Sequence, residues 1–196
     1  MWKEKVDSTN NECRRHIDSL DNLSFVAARC QTDGRGQGDH RWTSTPGMNL
    51  TFSMVFKHEG RLEARDEVAL THTLTLALLA YLDGKGISAR IKWPNDIWVG
   101  DKKICGMLIE HSLRADKVDW SIAGIGLNIN QTDFPADIPN PTSLKMLTKA
   151  DYEPAVELET LHKEICRLSP LMYSPDGRKL LQEEFGKKVF RLTEAL

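Results

Sequence analysis

The sequence predicts an α+β domain with a mixed, largely antiparallel sheet flanked by helices. Strand-like stretches dominate the middle of the chain, helical patterns lie to either side, and two successive strands meet at a short Gly100-Asp101 turn of the kind that closes an antiparallel hairpin. With 196 residues the chain has the length of one domain, or one domain with a short appendage.

Asp7-Ser8-Thr9-Asn10 is rich in N-cap residues, and Cys13, Ile17 and Leu20 follow at helical spacing, so an amphipathic helix is expected there. Phe25 to Ala28 is a short apolar strand, followed by a polar, glycine-rich stretch from Gln31 to Gly47. Leu50, Phe52, Met54 and Phe56 alternate with other residues and predict a half-buried strand. Glu63 to Asp83 reads as a long helix with Val68, Leu70, Leu74, Leu78 and Leu82 on its stripe, stopped by Gly84 and Gly86. Ala89 to Trp93 is a strand halted by Pro94. Ile97 to Val99 and Ile104 to Ile109 form the hairpin, and Val118 to Ile129 is a strand interrupted by Gly124 and Gly126. A loop holding Pro135, Pro139 and Pro141 precedes two helices, Val156 to Leu168 and Gly177 to Val189.

Composition narrows the function classes. Lys and Arg number 26 against 28 Asp and Glu, a net charge of -2, which argues against a partner held by phosphate electrostatics; no nucleic acid partner is expected. The longest apolar stretch, Leu74 to Leu82, is far below the ~20 residues that span a bilayer, and Met1-Trp2-Lys3-Glu4-Lys5 does not open a signal peptide. No membrane association is expected, and a cytoplasmic location is. Cys13, Cys30, Cys105 and Cys166 form no Cys-x-x-Cys pair and read as reduced core thiols. The six histidines lack zinc-site spacing.

Neither Gly-x-x-x-x-Gly-Lys-Ser/Thr nor Gly-x-Gly-x-x-Gly occurs, so nucleotide chemistry here needs another scaffold. Gln31-Thr32-Asp33-Gly34-Arg35-Gly36-Gln37-Gly38-Asp39-His40-Arg41-Trp42 sets three glycines around an arginine. On composition this is first a flexible surface loop. The same residues suit a lid, because glycine lets backbone amides approach an anion and Arg35 offers a planar fork to a carboxylate or phosphate. Lys92-Trp93-Pro94-Asn95-Asp96 reads either as a strand end with Trp93 in the core and Asn-Asp in a turn, or as a cation, an amide and a carboxylate for phosphates and Mg2+. Lys102-Lys103 reads as a solvated pair. Alternation nevertheless puts Lys103 on the face opposite Ile104, together with Cys105, so one ammonium can point inward toward a phosphate. The glycines of Ala123-Gly124-Ile125-Gly126-Leu127-Asn128 leave room for a close neighbour, ligand or backbone.

In this order and spacing, Asp7-Ser8-Thr9-Asn10, Gln31 with Gly34-Arg35-Gly36 and Trp42, Lys92 to Asp96, Lys103-x-x-Gly106 and Gly124-x-Gly126-x-Asn128 together resemble biotin protein ligase. The resemblance covers residues 7 to about 130 and implies the catalytic fold shared with class II aminoacyl-tRNA synthetases. It implies that ATP and biotin are substrates, with Mg2+, and that biotin is first joined to AMP and then passed to a lysine of a biotin carboxyl carrier protein. By resemblance, Lys103 and Arg35 are catalytic. Ser8, Thr9, Asn10, Gln31, Arg35, Gly36, Gln37, Lys103 and Gly106 bind biotin. Gly34, Trp42, Lys92, Asn95 and Asn128 bind the nucleotide, with Trp42 facing adenine, and Asp96 takes the Mg2+. Gln37 stands where many members carry a second loop arginine. Only six residues precede Asp7, so the helix-turn-helix of bifunctional members is not expected. Residues 1–188 should be the catalytic domain, and 189–196 the start of an SH3-like barrel otherwise absent from this chain. A homodimer is compatible with the family. The rival readings are a lipoate or octanoate ligase of the same fold and a non-catalytic biotin or nucleotide sensor.

Overall fold

The apolar alternation in the middle of the chain becomes one mixed sheet in the computed structural model, which describes residues 1–38 and 40–191. In chain order the elements are β1 (Trp2–Val6), α1 (Thr9–Arg15), β2 (Phe25–Gln31), β3 (Leu50–Lys57), α2 (Val68–Asp83), β4 (Arg90–Lys92), β5 (Asp96–Val99), β6 (Lys102–Arg114), β7 (Lys117–Leu127), α3 (Leu144–Thr148), α4 (Pro154–Leu168), α5 (Pro175–Lys188) and β8 (Val189–Phe190). Eight strands lie in the order β1-β2-β3-β7-β6-β5-β4-β8. The outer pairs β1/β2 and β4/β8 are parallel, and the pairs between them are antiparallel, as the sequence predicts. Among the described residues no helix is long and apolar enough to cross a membrane.

The alternating residues Leu50, Phe52, Met54 and Phe56 of β3 face the helices, packing into one cluster with Leu70, Leu74, Leu78 and Leu82 of α2 and Leu158, Leu161 and Ile165 of α4. Each such side chain contributes about 1.5–3 kcal/mol by leaving water, so this layer is the main source of stability. The expectation of a half-buried β3 is overturned: every residue from Leu50 to Phe56 is buried. Its second face is covered by α1, whose Cys13 meets Val26, Val55 and Ile122 in a smaller cluster that Leu20 completes. The first helix is also shorter than its spacing suggests. It ends at Arg15, and Ile17 and Leu20 reach the second cluster from the turns that follow.

In α2 the expected stripe is buried except for Val68, which is 51% exposed because it opens the helix after the 3-10 turn Ala64–Asp66. The helix closes as its glycines predict. Gly86 adopts φ +73°, the Ile87 N–H donates to the Leu82 carbonyl and the Gly86 N–H to that of Asp83, which satisfies the last-turn acceptors. Trp93 is not a core residue. It follows Lys92, the last paired residue of β4, leaves the sheet 53% exposed, and lies under the Arg191 guanidinium at 4.7 Å. Trp98, within β5, is the buried tryptophan. β1 is absent from the sequence reading because its polar residues carry no apolar period; pairing with β2 makes it a strand. Of residues 189–196, Val189 and Phe190 pair in parallel with Ile91 and Lys92, and 192–196 lie outside the described residues.

Candidate active site

The face of the sheet turned away from the core helices carries Thr51 and Ser53 from β3, Gly124 and Gly126 from β7, and Gly106, Leu108 and Glu110 from β6. Thr51 and Gly106 both pair with Gly126, and Ser53 and Leu108 both pair with Gly124. The three glycines leave part of this face without side chains of its own, a hollow that Asn10, Trp42 and Lys103 close over. A methyl on Gly124 would overlap Asn10 Oδ1, and one on Gly126 would overlap the Trp42 indole. One on Gly106 would stand 3.1 Å from Lys103 Nζ and 3.4 Å from Trp42 Cζ3. The close neighbours that these glycines anticipate are therefore Asn10, Trp42 and Lys103.

A hydrogen-bonded cluster surrounds Asn10. Ser8 is the N-cap of α1 by backbone (φ -150°, ψ 139°), but its side chain makes no cap hydrogen bond. Gln31, from the end of β2, replaces it: its Oε1 accepts from the Thr9 N–H at 2.8 Å and from Thr9 Oγ1 at 3.1 Å. Ser53 Oγ lies 2.7 Å from Thr9 Oγ1 and donates to Asn10 Oδ1 at 2.5 Å. Asn10 Nδ2 donates to Glu110 Oε2 at 2.8 Å and to the Leu108 carbonyl at 3.3 Å.

Two cations stand beside this cluster, Arg35 on the same Glu110 oxygen as Asn10, and Lys103 over Gly106. The glycine-rich stretch folds into a small hairpin, with the Trp42 N–H donating to the Gly34 carbonyl at 2.9 Å and the Gly36 N–H to the His40 carbonyl at 2.8 Å. A side chain on Gly34 would overlap the Trp42 carbonyl, so only glycine fits that turn. The hairpin lays Trp42 over the hollow and brings Arg35 Nη2 to Glu110 Oε2 at 2.8 Å. Among the described residues, Arg35 Nε and Trp42 Nε1 are buried donors without a hydrogen-bond partner, a costly state that a bound acceptor relieves. Gln37 is exposed at the hairpin tip, away from these groups.

Lys103 corrects the simple alternation argument. Ile104 and Cys105 are both buried in the core, because the β5–β6 register slips by one residue between Ile97↔Cys105 and Trp98↔Lys103. This bulge re-aims Lys103 over Gly106 instead of pairing it with Cys105. Its backbone is clamped by residues 140–142: the N–H donates to the Asn140 carbonyl at 2.7 Å, and the carbonyl accepts from the Thr142 N–H at 2.9 Å. Its ammonium pairs with Asp96 Oδ2 at 2.8 Å.

The remaining residues singled out by sequence act as supports. Asn128 Nδ2 donates to the Thr142 carbonyl at 2.9 Å, Asn95 Nδ2 to the Met107 carbonyl at 3.1 Å, and the Lys92 ammonium sits 4.8 Å over the Trp98 ring. Sequence reasoning missed Ser53 and Glu110. Glu110 was findable as the third residue of the Gly106, Leu108, Glu110 alternation, but the apolar run that marks the strand stops at Ile109. Burial works to raise the Glu110 carboxyl, yet hydrogen bonds from Asn10 and Arg35 and the charges of Arg35 and Arg14 outweigh it and hold it below its ordinary value. Burial pushes the Cys105 thiol far up and that of Cys13 up to about 12, so neither supplies a thiolate. Among the described residues no three His, Cys, Asp or Glu side chains gather to hold a metal.

The bifunctional ligase/repressor BirA of Bacillus subtilis is 36% identical over 121 residues, 59% of this chain and 36% of the relative. The biotin--[acetyl-CoA-carboxylase] ligase of Paracoccus denitrificans is 31% identical over 126 residues, 64% of this chain and 52% of the relative. The chain thus spans about a third to a half of the length of the curated relatives it matches. The biotin protein ligase of Aquifex aeolicus, solved in complex with biotin and ATP, superposes with a TM-score of 0.82 at 28% identity, covering 97% of this chain and 78% of that one. The sequence profile of the biotin/lipoate A/B protein ligases matches residues 2–128, the segment that builds β1 to β7 and every side chain of the hollow, and the chain belongs to that family.

Proposed function

We propose that this chain activates biotin with ATP and transfers it to a lysine of a biotin carboxyl carrier protein, with residues 1–188 as the catalytic unit, acting in the cytoplasm. The observation that carries the reading is the juxtaposition, around three glycines, of a hydrogen-bonded cluster of Thr9, Asn10, Gln31 and Ser53 with Arg35, the Trp42 indole N–H and Lys103. Biotin brings the groups that such a set can hold, a urea for the hydrogen-bonding cluster and a carboxylate for the cations.

With the urea against Asn10, the carboxylate lies toward Arg35 and Lys103. A carboxylate oxygen attacks the α-phosphorus of ATP, the bond to the bridging oxygen breaks, and pyrophosphate leaves with its electron pair. Charge builds on the oxygens of the α-phosphate as this happens. Lys103, clamped by residues 140–142, and Arg35 are fixed donors aimed at that charge, the arrangement that lowers such barriers most. The second step needs no enzyme nucleophile. The carrier lysine amine attacks the acyl carbon, AMP leaves, and the amine proton passes to solvent. The Gly34–Trp42 hairpin covers the anhydride against water in the interval. The residues fit Mg2+ as an ion carried by the triphosphate rather than a resident metal, with Asp96 the carboxylate beside Lys103. Such an ion supplies charge neutralisation on the phosphates.

The family also includes lipoate ligases, but an alkyl acid would leave the open lone pair of Asn10 Oδ1 facing hydrocarbon, which costs about 1–3 kcal/mol. The test is pyrophosphate release from Mg-ATP with biotin, lipoate or octanoate. Biotin-dependent release is expected. Release with octanoate or lipoate alone transfers the assignment to those acids, and release with none of the three overturns it.

A further inference from the structure

We propose that Glu110 is a positioning residue that fixes which end of the Asn10 amide meets the ligand and holds Arg35 over the hollow. The inference rests on the biotin reading and deepens it. Both carboxylate oxygens are engaged: Oε2 accepts from Asn10 Nδ2 at 2.8 Å and Arg35 Nη2 at 2.8 Å, and Oε1 accepts from Arg14 Nη2 at 2.6 Å. One side chain of β6 therefore ties the first and the last turn of α1 to the glycine hairpin.

The consequence for Asn10 is chemical. A side-chain amide can face a ligand with either its oxygen or its NH2. Here both NH2 hydrogens have partners, Glu110 and the Leu108 carbonyl, while Oδ1 receives one hydrogen bond from Ser53 and keeps a second lone pair. Glu110 is acceptor-only when ionised, so it cannot accommodate the flipped amide, and its depressed pKa keeps it ionised. Asn10 is thereby a committed acceptor, the complement of a urea N–H and a poor match for a carbonyl or an alkyl chain. The consequence for Arg35 is placement. With Nη2 held by Glu110, the fork is oriented before any ligand arrives, and Nε is the buried donor left for an incoming acceptor.

The test is steady-state kinetics and calorimetric biotin binding for Glu110→Gln and Glu110→Ala, each checked for a cooperative melt; Glu110→Gln, nearly isosteric, stands in if the alanine variant does not fold. The expected result is a rise in biotin KM and Kd of about tenfold or more, the scale of one charge-assisted hydrogen bond, with the ATP KM unchanged. In an Asn10→Ala/Arg35→Ala background, Glu110→Ala should add little further loss, because both groups it acts through are gone. A purely structural role would lower kcat through the active fraction and leave both KM values unmoved. That outcome, or full additivity in the double-variant background, overturns the proposal. Absence of biotin binding by the unmodified protein would instead defeat the underlying functional reading.

Discussion

Gly106 on β6 and Gly126 on β7 stand directly opposite each other in the sheet, and the Trp42 indole lies over the gap that their missing side chains leave. The sheet, the glycine hairpin and Lys103 therefore meet at one point. A methyl group there is felt by all three.

Gly126→Ala puts a methyl group into the indole. The hairpin can move more easily than the sheet, so Trp42 should be displaced while the fold survives. Misplacement of this kind costs on the order of a hundredfold in rate, and we expect biotin-dependent pyrophosphate release to fall by about that factor. The tryptophan emission spectrum should shift with it. Gly186→Ala, on α5 where an added methyl group meets nothing, should leave activity unchanged and raise stability by up to about 1 kcal/mol.

In the proposed mechanism Lys103 supplies the ammonium that meets the reacting phosphate, and Lys103→Ala removes it. Loss of one fixed donor at developing charge costs about 100- to 1,000-fold, and adenylate formation should fall accordingly. The melting temperature should barely change, because the partner ion pair with Asp96 is a third exposed on the lysine side and such pairs contribute at most about 1 kcal/mol. Undiminished pyrophosphate release by this variant would remove Lys103 from the chemistry.

Asn128→Ala tests the support behind Lys103. It leaves the Thr142 carbonyl without its amide partner next to the segment that clamps the Lys103 backbone. A loss of about 1–3 kcal/mol in stability is expected from the unsatisfied group, measured by denaturant unfolding, together with a lower kcat. Loss of stability with kcat intact would show that the clamp does not matter to the reaction.

Acid stability should reflect His58. It is fully buried between Tyr173 and Ser121, and His111 shares the Ser121 hydroxyl. Burial, with smaller contributions from His111 and Arg61 against Asp119, lowers its pKa to about 4. Between the ordinary histidine value of ~6.5 and about 4 the unfolded chain binds a proton that the folded chain does not, so stability falls as pH falls through that window. For this group the loss approaches about 3 kcal/mol, at ~1.4 kcal/mol per pH unit, and is complete below pH 4. Buried His72 and His111 shift in the same direction. His58→Gln should flatten the melting temperature between pH 6.5 and 4.5, and an unaltered slope would assign the effect elsewhere.

What was legible in the sequence follows the reach of each pattern. Alternation in β3 identified the core face correctly but could not reveal that α1 covers the other face, because two of its three residues, Thr51 and Ser53, are polar and read as solvent-facing. The site segments could be recognised by their order, yet no linear pattern states that the Trp42 indole fills the Gly126 gap or that Gln31 caps α1; both depend on β-sheet register. Strict alternation assigned Lys103 the same side as Cys105, and a one-residue bulge against β5 undid it. Glu110 escaped notice because β6 runs on to Arg114 in polar residues after its apolar run ends.

The central claim is that this chain couples ATP to the attachment of biotin to a protein lysine. Intact mass spectrometry of an apo biotin carrier domain, incubated with the chain, biotin and Mg-ATP, tests it most directly. The account predicts a mass gain of one biotinyl group that disappears when ATP is omitted, when the acceptor lysine is replaced, or when Lys103→Ala is used. A carrier domain of unchanged mass, with biotin and ATP both recovered intact, would contradict it.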